Sequence, residues 1–174
     1  MKSLFEFFTA AVFAIASIFA HSQPAAPNDA QIAGIVVAAN SVDIEAGKLA
    51  ETRSGNDQIK DFAKRMVVDH TGVNEQASAL VRKLNVTPEE SETSKGLKES
   101  GAKNLEKLKA LNGTAFDKAY LDNEVAYHQT VIDALDTTLV PSAKNEELKA
   151  LLIKVRPAFI AHRDHASQLH SSLK

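Results

Sequence analysis

The 174-residue chain contains no cysteine. A thiolate metal site, a redox dithiol and a cysteine nucleophile are therefore excluded, and the fold rests on packing alone. Proline (5) and glycine (7) are scarce, so long helices meet few interruptions. No segment alternates apolar and polar residues as a strand would. Positive charge is not in excess: 20 Lys and Arg face 22 Asp and Glu, for a net charge of −2, which argues against a nucleic-acid partner. No G-x-S-x-G, P-loop or H-E-x-x-H motif occurs. The apolar run from Phe7 to Ala20 is too short to span a bilayer comfortably.

That run follows Lys2 and is itself followed by small and polar residues, the pattern of an export signal. Ala20-His21-Ser22 fits a small-x-small cleavage site, with cleavage after Ala20 as the alternative. The expected organisation is a signal peptide over 1–22, a Pro/Ala linker over 23–29 and a helical domain over 30–174. A signal segment left uncleaved is the only route to the membrane that the chain offers.

Apolar residues at three-to-four spacing predict four long helices. In the first, Ile32, Ile35, Val36, Ala39, Val42, Ala46 and Leu49 form the seam, with Asn28 or Asp29 as the cap. The second runs from about Asp57 to Leu84 along Ile59, Phe62, Met66, His70, Val73, Ala77 and Leu80. Residues 89–113 are polar, with a short amphipathic stretch at Leu105, Leu108 and Leu111, and read as a helical crossover. The third helix spans about Ala115 to Leu139, with Thr114 as its cap and Asp117 as the acidic partner of a capping box. The fourth starts near Asn145, with seam residues Leu148, Leu152, Val155, Phe159, His162 and Ala166. Pro157 interrupts its pattern. The fold class is all-α: a four-helix bundle with a short crossover between helices 2 and 3.

His70, His128 and His162 fall on the inward faces of three helices, and Glu45 on that of a fourth, each near mid-height. Burying histidine is costly, so repeated placement on apolar seams needs a cause. Imidazole and carboxylate suit a divalent transition metal, zinc or copper before iron. Glu124, one turn before His128, is a further candidate ligand; Asp69, about 100° round the helix from His70, is placed at the edge of the site or on the surface. The competing explanation is a buried hydrogen-bonded layer without metal.

The segment Phe62-Ala63-Lys64-Arg65-Met66-Val67-Val68-Asp69-His70 resembles the FAxxMVxDH signature of the exported "domain of unknown function 4142" family. Residues Gly113 to Leu121 resemble its GxxFDxxYL segment; Glu45 with Gly47-Lys48-Leu49-Ala50, then His128 and His162, extend the match. The resemblance covers roughly Ala30 to Leu169. It implies a ferritin-like bundle in the periplasm or cell envelope of a Gram-negative bacterium, with no settled activity. Where the family usually has Asp just before the third-helix histidine, this chain has Tyr127. Ferritin-like di-iron sites use Glu-x-x-His motifs; this chain has none, Glu124 to His128 being one residue too long.

These readings favour an exported, non-enzymatic protein that holds a metal ion at Glu45, His70, Glu124, His128 and His162, with a role in metal buffering or stress tolerance. An envelope structural or interaction protein, with a protein partner and a metal-free histidine layer, is the alternative. A metal-dependent oxidoreductase ranks third.

Overall fold

The computed structural model describes residues 26–173. Its helices are α1 (Asp29–Arg53), α2 (Asp57–Lys83), α3 (Glu92–Lys109), α4 (Gly113–Ala134), the short α5 (Val140–Ser142) and α6 (Glu146–Ser172), with a π-helical turn over Leu135–Leu139 between α4 and α5. No strand occurs among the described residues. The expected signal peptide lies outside them, as do residues 23–25 of the linker.

Local chemistry sets the helix ends. Asn28 accepts from the Gln31 amide, and Gln31 returns the bond, closing a capping box. Asn56 and Asn145 cap α2 and α6 through their side chains. At α4 the expected Thr114 cap does not form. The chain enters the helix one residue earlier through Gly113 at φ 55°, and Asn112 takes the cap position without a side-chain bond. Glycine suits that left-handed geometry because it has no Cβ to clash.

Helices α1, α2, α6 and α4 pack around the core in that order, each antiparallel to its neighbours. Two end contacts show the directions. Asp29, at the start of α1, accepts from the amides of Lys144 and Asn145 beside the start of α6. Arg53, at the end of α1, donates to the carbonyls of Lys109 and Leu111 just before α4. The crossover is thus a full 18-residue helix, longer than the stretch expected from sequence, and it runs parallel to α1 along the whole bundle. Two glycines permit this close approach. A Cβ on Gly34 would sit 2.1 Å from the Glu89 carbonyl oxygen, and one on Gly101 would sit 2.6 Å from a Val42 methyl. Val42 therefore packs toward α3 instead of the bundle axis.

Pro157 is exposed in mid-α6. The carbonyl it leaves unpaired belongs to Ile153, itself 54% exposed, so water can satisfy it and much of the roughly 3 kcal/mol proline penalty is relieved.

The core has two apolar parts. One gathers Ile32, Ile35, Leu135, Leu139, Leu148, Leu152 and Phe159 near the start of α1. The other gathers Ala50, Ile59, Phe62, Met66, Phe116, Tyr120 and Leu169 near its end. Between them lies a layer of buried polar side chains.

Candidate metal centre

That layer lies at the middle of the rods. His70 stands midway along α2, His128 in the second half of α4, His162 just past the middle of α6, and Asp43 just past the middle of α1. The side chains of His70, His128, Asp43 and Glu124 are at most 1% exposed, and that of His162 is 5% exposed. The ring centroids are 5.5 Å apart for His70–His128, 5.3 Å for His70–His162 and 5.4 Å for His128–His162. One nitrogen from each of the three lies within 4.8 Å of the others, and Asp43, Glu124 and His128 offer a second such trio. Small side-chain rotations close such spans onto one ion, given metal–imidazole bonds of about 2.0–2.1 Å.

Hydrogen bonds on the far side of each ring fix which nitrogen faces inward. Asn40 donates its amide to the Val36 carbonyl, which leaves Asn40 Oδ1 to accept from His70 Nδ1 at 2.7 Å. The Glu124 carbonyl can only accept, so His128 Nδ1 carries a proton toward it at 2.9 Å. Asp69 Oδ2 accepts from His162 Nε2 at 2.9 Å. With those nitrogens used as donors, His70 Nε2, His128 Nε2 and His162 Nδ1 are left to offer lone pairs. All three are buried without a hydrogen-bond partner, as are both carboxyl oxygens of Asp43 and of Glu124 and the Tyr120 hydroxyl. His70 Nε2 approaches Asp43 Oδ2 to 2.5 Å and His128 Nε2 lies 3.6 Å from the same oxygen, neither aligned as a hydrogen bond. Phe159 packs against His70 and His128 at centroid distances of 5.1 and 5.7 Å and forms an apolar wall.

Burial would raise the Asp43 carboxyl, but the facing His70 and His128 rings and the Glu124 carboxyl outweigh it and hold Asp43 well below the usual carboxylate range. Glu124 goes the other way: burial, then the neighbouring Asp43, raises it well above its ordinary value and favours its protonated form. Burial pushes His128 down to about 4, against the pull of Asp43, and also lowers His162 despite its bond to Asp69. Burial therefore favours the neutral forms of His128 and His162 beside a charged Asp43 carboxylate.

Of the residues expected from sequence, the structure brings together His70, His128, His162 and Glu124. Glu45 is a correction: its side chain is 57% exposed and pairs with Lys48 at 2.9 Å. The carboxylate that α1 sends inward is Asp43, two residues earlier. The seam read through Val42 and Leu49 follows the side of α1 nearer α3; the buried line facing the other bundle helices runs Ala39, Asp43, Ala46, Ala50. Asn40 and Asp43 were thus missed, although two polar residues at seam spacing among alanines are a visible signal. Tyr127 points its hydroxyl at the Ala39 carbonyl, 2.9 Å away, and takes no place in the cluster. His165 packs on the edge of Phe62 and His170 pairs with Asp122, both away from the centre.

Fold and site together define an all-α bundle with a crossover helix and a buried histidine–carboxylate centre. The chain belongs to the family described as domain of unknown function (DUF4142), whose sequence profile matches residues 16–169. Among solved structures, one described as CopM in the Cu(II)-bound form has the same fold, with a TM-score of 0.66 over 85% of this chain and 100% of that one, at 11% identity. No curated protein matches the chain.

Proposed function

We propose that this protein binds one divalent transition-metal ion, copper(II) in preference to zinc, through Asp43, His70, His128 and His162. Glu124 is the second carboxyl beside them. The observation that carries this reading is the convergence of three imidazoles whose far nitrogens are all spoken for, leaving the inward nitrogens buried without a hydrogen-bond partner. Such atoms cost free energy when left unpaired and fit an ion that accepts lone pairs. Nitrogen and oxygen donors suit both metals, and the general affinity order places Cu(II) above Zn(II). The similarly folded CopM, solved in a Cu(II)-bound form, supports that preference. The Asp43 charge, with His128 and His162 favoured in their neutral forms, also suits a 2+ ion in an apolar shell.

The role that follows is buffering or sequestration of copper by an exported envelope protein, with residues 1–22 as the export signal and the periplasm as its compartment. Among the described residues only two carboxyls, Asp43 and Glu124, reach the centre, which is too few for the four-carboxylate di-iron pattern. The close His70–Asp43 contact favours a second reading, in which a shared proton occupies the centre and the bundle serves an envelope protein partner.

Titration with Cu(II) separates the two. The metal reading expects one equivalent bound by the intact protein and none by His70→Ala/His128→Ala. It also expects the melting temperature to fall on adding a chelator at neutral pH. Unchanged metal content in the double variant would reject the ligand set, and a melting temperature indifferent to both copper and chelator would favour the metal-free layer.

A further inference from the structure

The three outward acceptors that orient the histidines are not equivalent. Asn40 is buried, and the Glu124 carbonyl belongs to a residue with no exposure. Asp69 alone reaches solvent, its side chain 36% exposed, while its Oδ2 touches His162 Nε2 at 2.9 Å. That same oxygen also takes a bond from Arg65 Nε at 3.3 Å, and the Arg65 side chain is 63% exposed. A chain of contacts thus runs from bulk water through Arg65 and Asp69 to His162, and from His162 to His70 and His128.

We propose that Asp69 is the entry port of the metal centre, with Arg65 as its latch and His162 as the ligand that moves. This rests on the metal reading above and adds how a hydrated divalent cation reaches a sealed site. The cation needs a surface carboxylate at which to shed its first waters, and Asp69 is the exposed carboxylate bonded to a centre histidine. Arg65 neutralises Asp69 at rest, so the approaching cation must displace the guanidinium. Release of the Asp69 bond frees the His162 ring to turn toward the port and back. His70 and His128, held by fully buried acceptors, stay in place. Asp69 is a positioning residue, acting on the ion's path and on the His162 ring.

The measurement is stopped-flow uptake of Cu(II) by the full protein, followed by the absorbance of the bound ion, at several salt concentrations. Asp69→Asn keeps an oxygen acceptor for His162 but removes the charge. It should slow uptake about tenfold or more and flatten its salt dependence, with one equivalent still bound at equilibrium. Arg65→Gln, a change at an exposed position that leaves the core untouched, should speed uptake. Equal uptake rates and equal salt dependence in both variants and the parent would overturn the port while leaving the centre standing. A parent protein that takes up no copper would overturn both.

Discussion

The two apolar cores on either side of the histidine layer are built differently. The core near the end of α1 combines Phe62, Phe116 and Tyr120 with small residues, Ala46, Ala50, Ala63 and Ala166, and nearly all of them have no exposure. Phe116 and Tyr120 stack at 6.3 Å, with Phe62 edge-on to Tyr120 at 6.2 Å. The core near the start of α1 is aliphatic and looser. Val73, Val131 and Val155 keep 8–9% exposure, and a cavity of about 220 Å³ opens among Ile35, Val131, Leu135, Leu152 and Phe159. The π-helical turn over Leu135–Leu139 lies along it. Large rings against alanines make a close-packed, inelastic half; branched aliphatics around a widened helix turn leave room. The polar layer sits where the two meet, with Phe159 bridging from the looser core to two of its imidazoles.

The largest effect expected concerns the layer itself. With free Cu(II) a thousandfold above its dissociation constant, linkage supplies about 4 kcal/mol, or roughly 8–16 °C in melting temperature for a chain of this size. Calorimetry should show that gain in the parent and its loss in Asp43→Ala. In the tight core, Phe62→Ala should cost about 3–5 kcal/mol by denaturant titration, because its rigid neighbours cannot collapse into the gap.

Acid should act on the layer before either core. The ordinary histidine pKa is near 6.5, and in the folded protein His128 is lowered to about 4, with His162 lowered too. Between those pH values the two histidines bind more protons in the unfolded chain than in the folded one, while Glu124, raised in the folded state, acts with the opposite sign. The histidine contribution to the stability of the metal-free protein therefore rises with pH in that window and is lost as pH falls from about 6.5 toward 4. Asp43, depressed in the folded state, adds to the loss at lower pH. A pH series of urea midpoints with chelator present checks this; a flat profile from 7 to 4 would contradict it.

Added carbon should separate the two cores by sign. Val131→Ile, growing toward the cavity, should stabilise by up to about 1 kcal/mol, whereas Ala63→Val in the tight core should destabilise by about 1–3 kcal/mol. The same sign for both would erase the contrast. The smallest effect belongs to Glu45→Ala, which should change stability by less than about 0.5 kcal/mol and leave copper uptake intact, since its partner Lys48 is also exposed.

Helix number, order and the mid-height of the three histidines were legible in the sequence because periodicity along α2, α4 and α6 is set by one buried face. The turn after α2 and the turn before α4 lie at opposite ends of the bundle, because α3 runs between them, and His70 and His128 share a layer because both lie near mid-rod. On α1 the pattern misled. This helix is covered by the bundle on one side and by α3 on the other, so apolar residues occur around much of its circumference and a seam drawn through Val42 and Leu49 is as regular as the buried one. Glu45 lies beside that second line and faces solvent.

Residue types and local spacing, then, determined that this chain forms long helices with histidines inside. Only the tertiary structure decided that Asp43 and Asn40 face those histidines, that burial beside Asp43 raises Glu124, and that of the three outward acceptors Asp69 is the exposed one. The reason is physical: helical periodicity is a property of one segment, whereas the identity of a face, and the charge a buried group can carry, depend on what the other helices place against it.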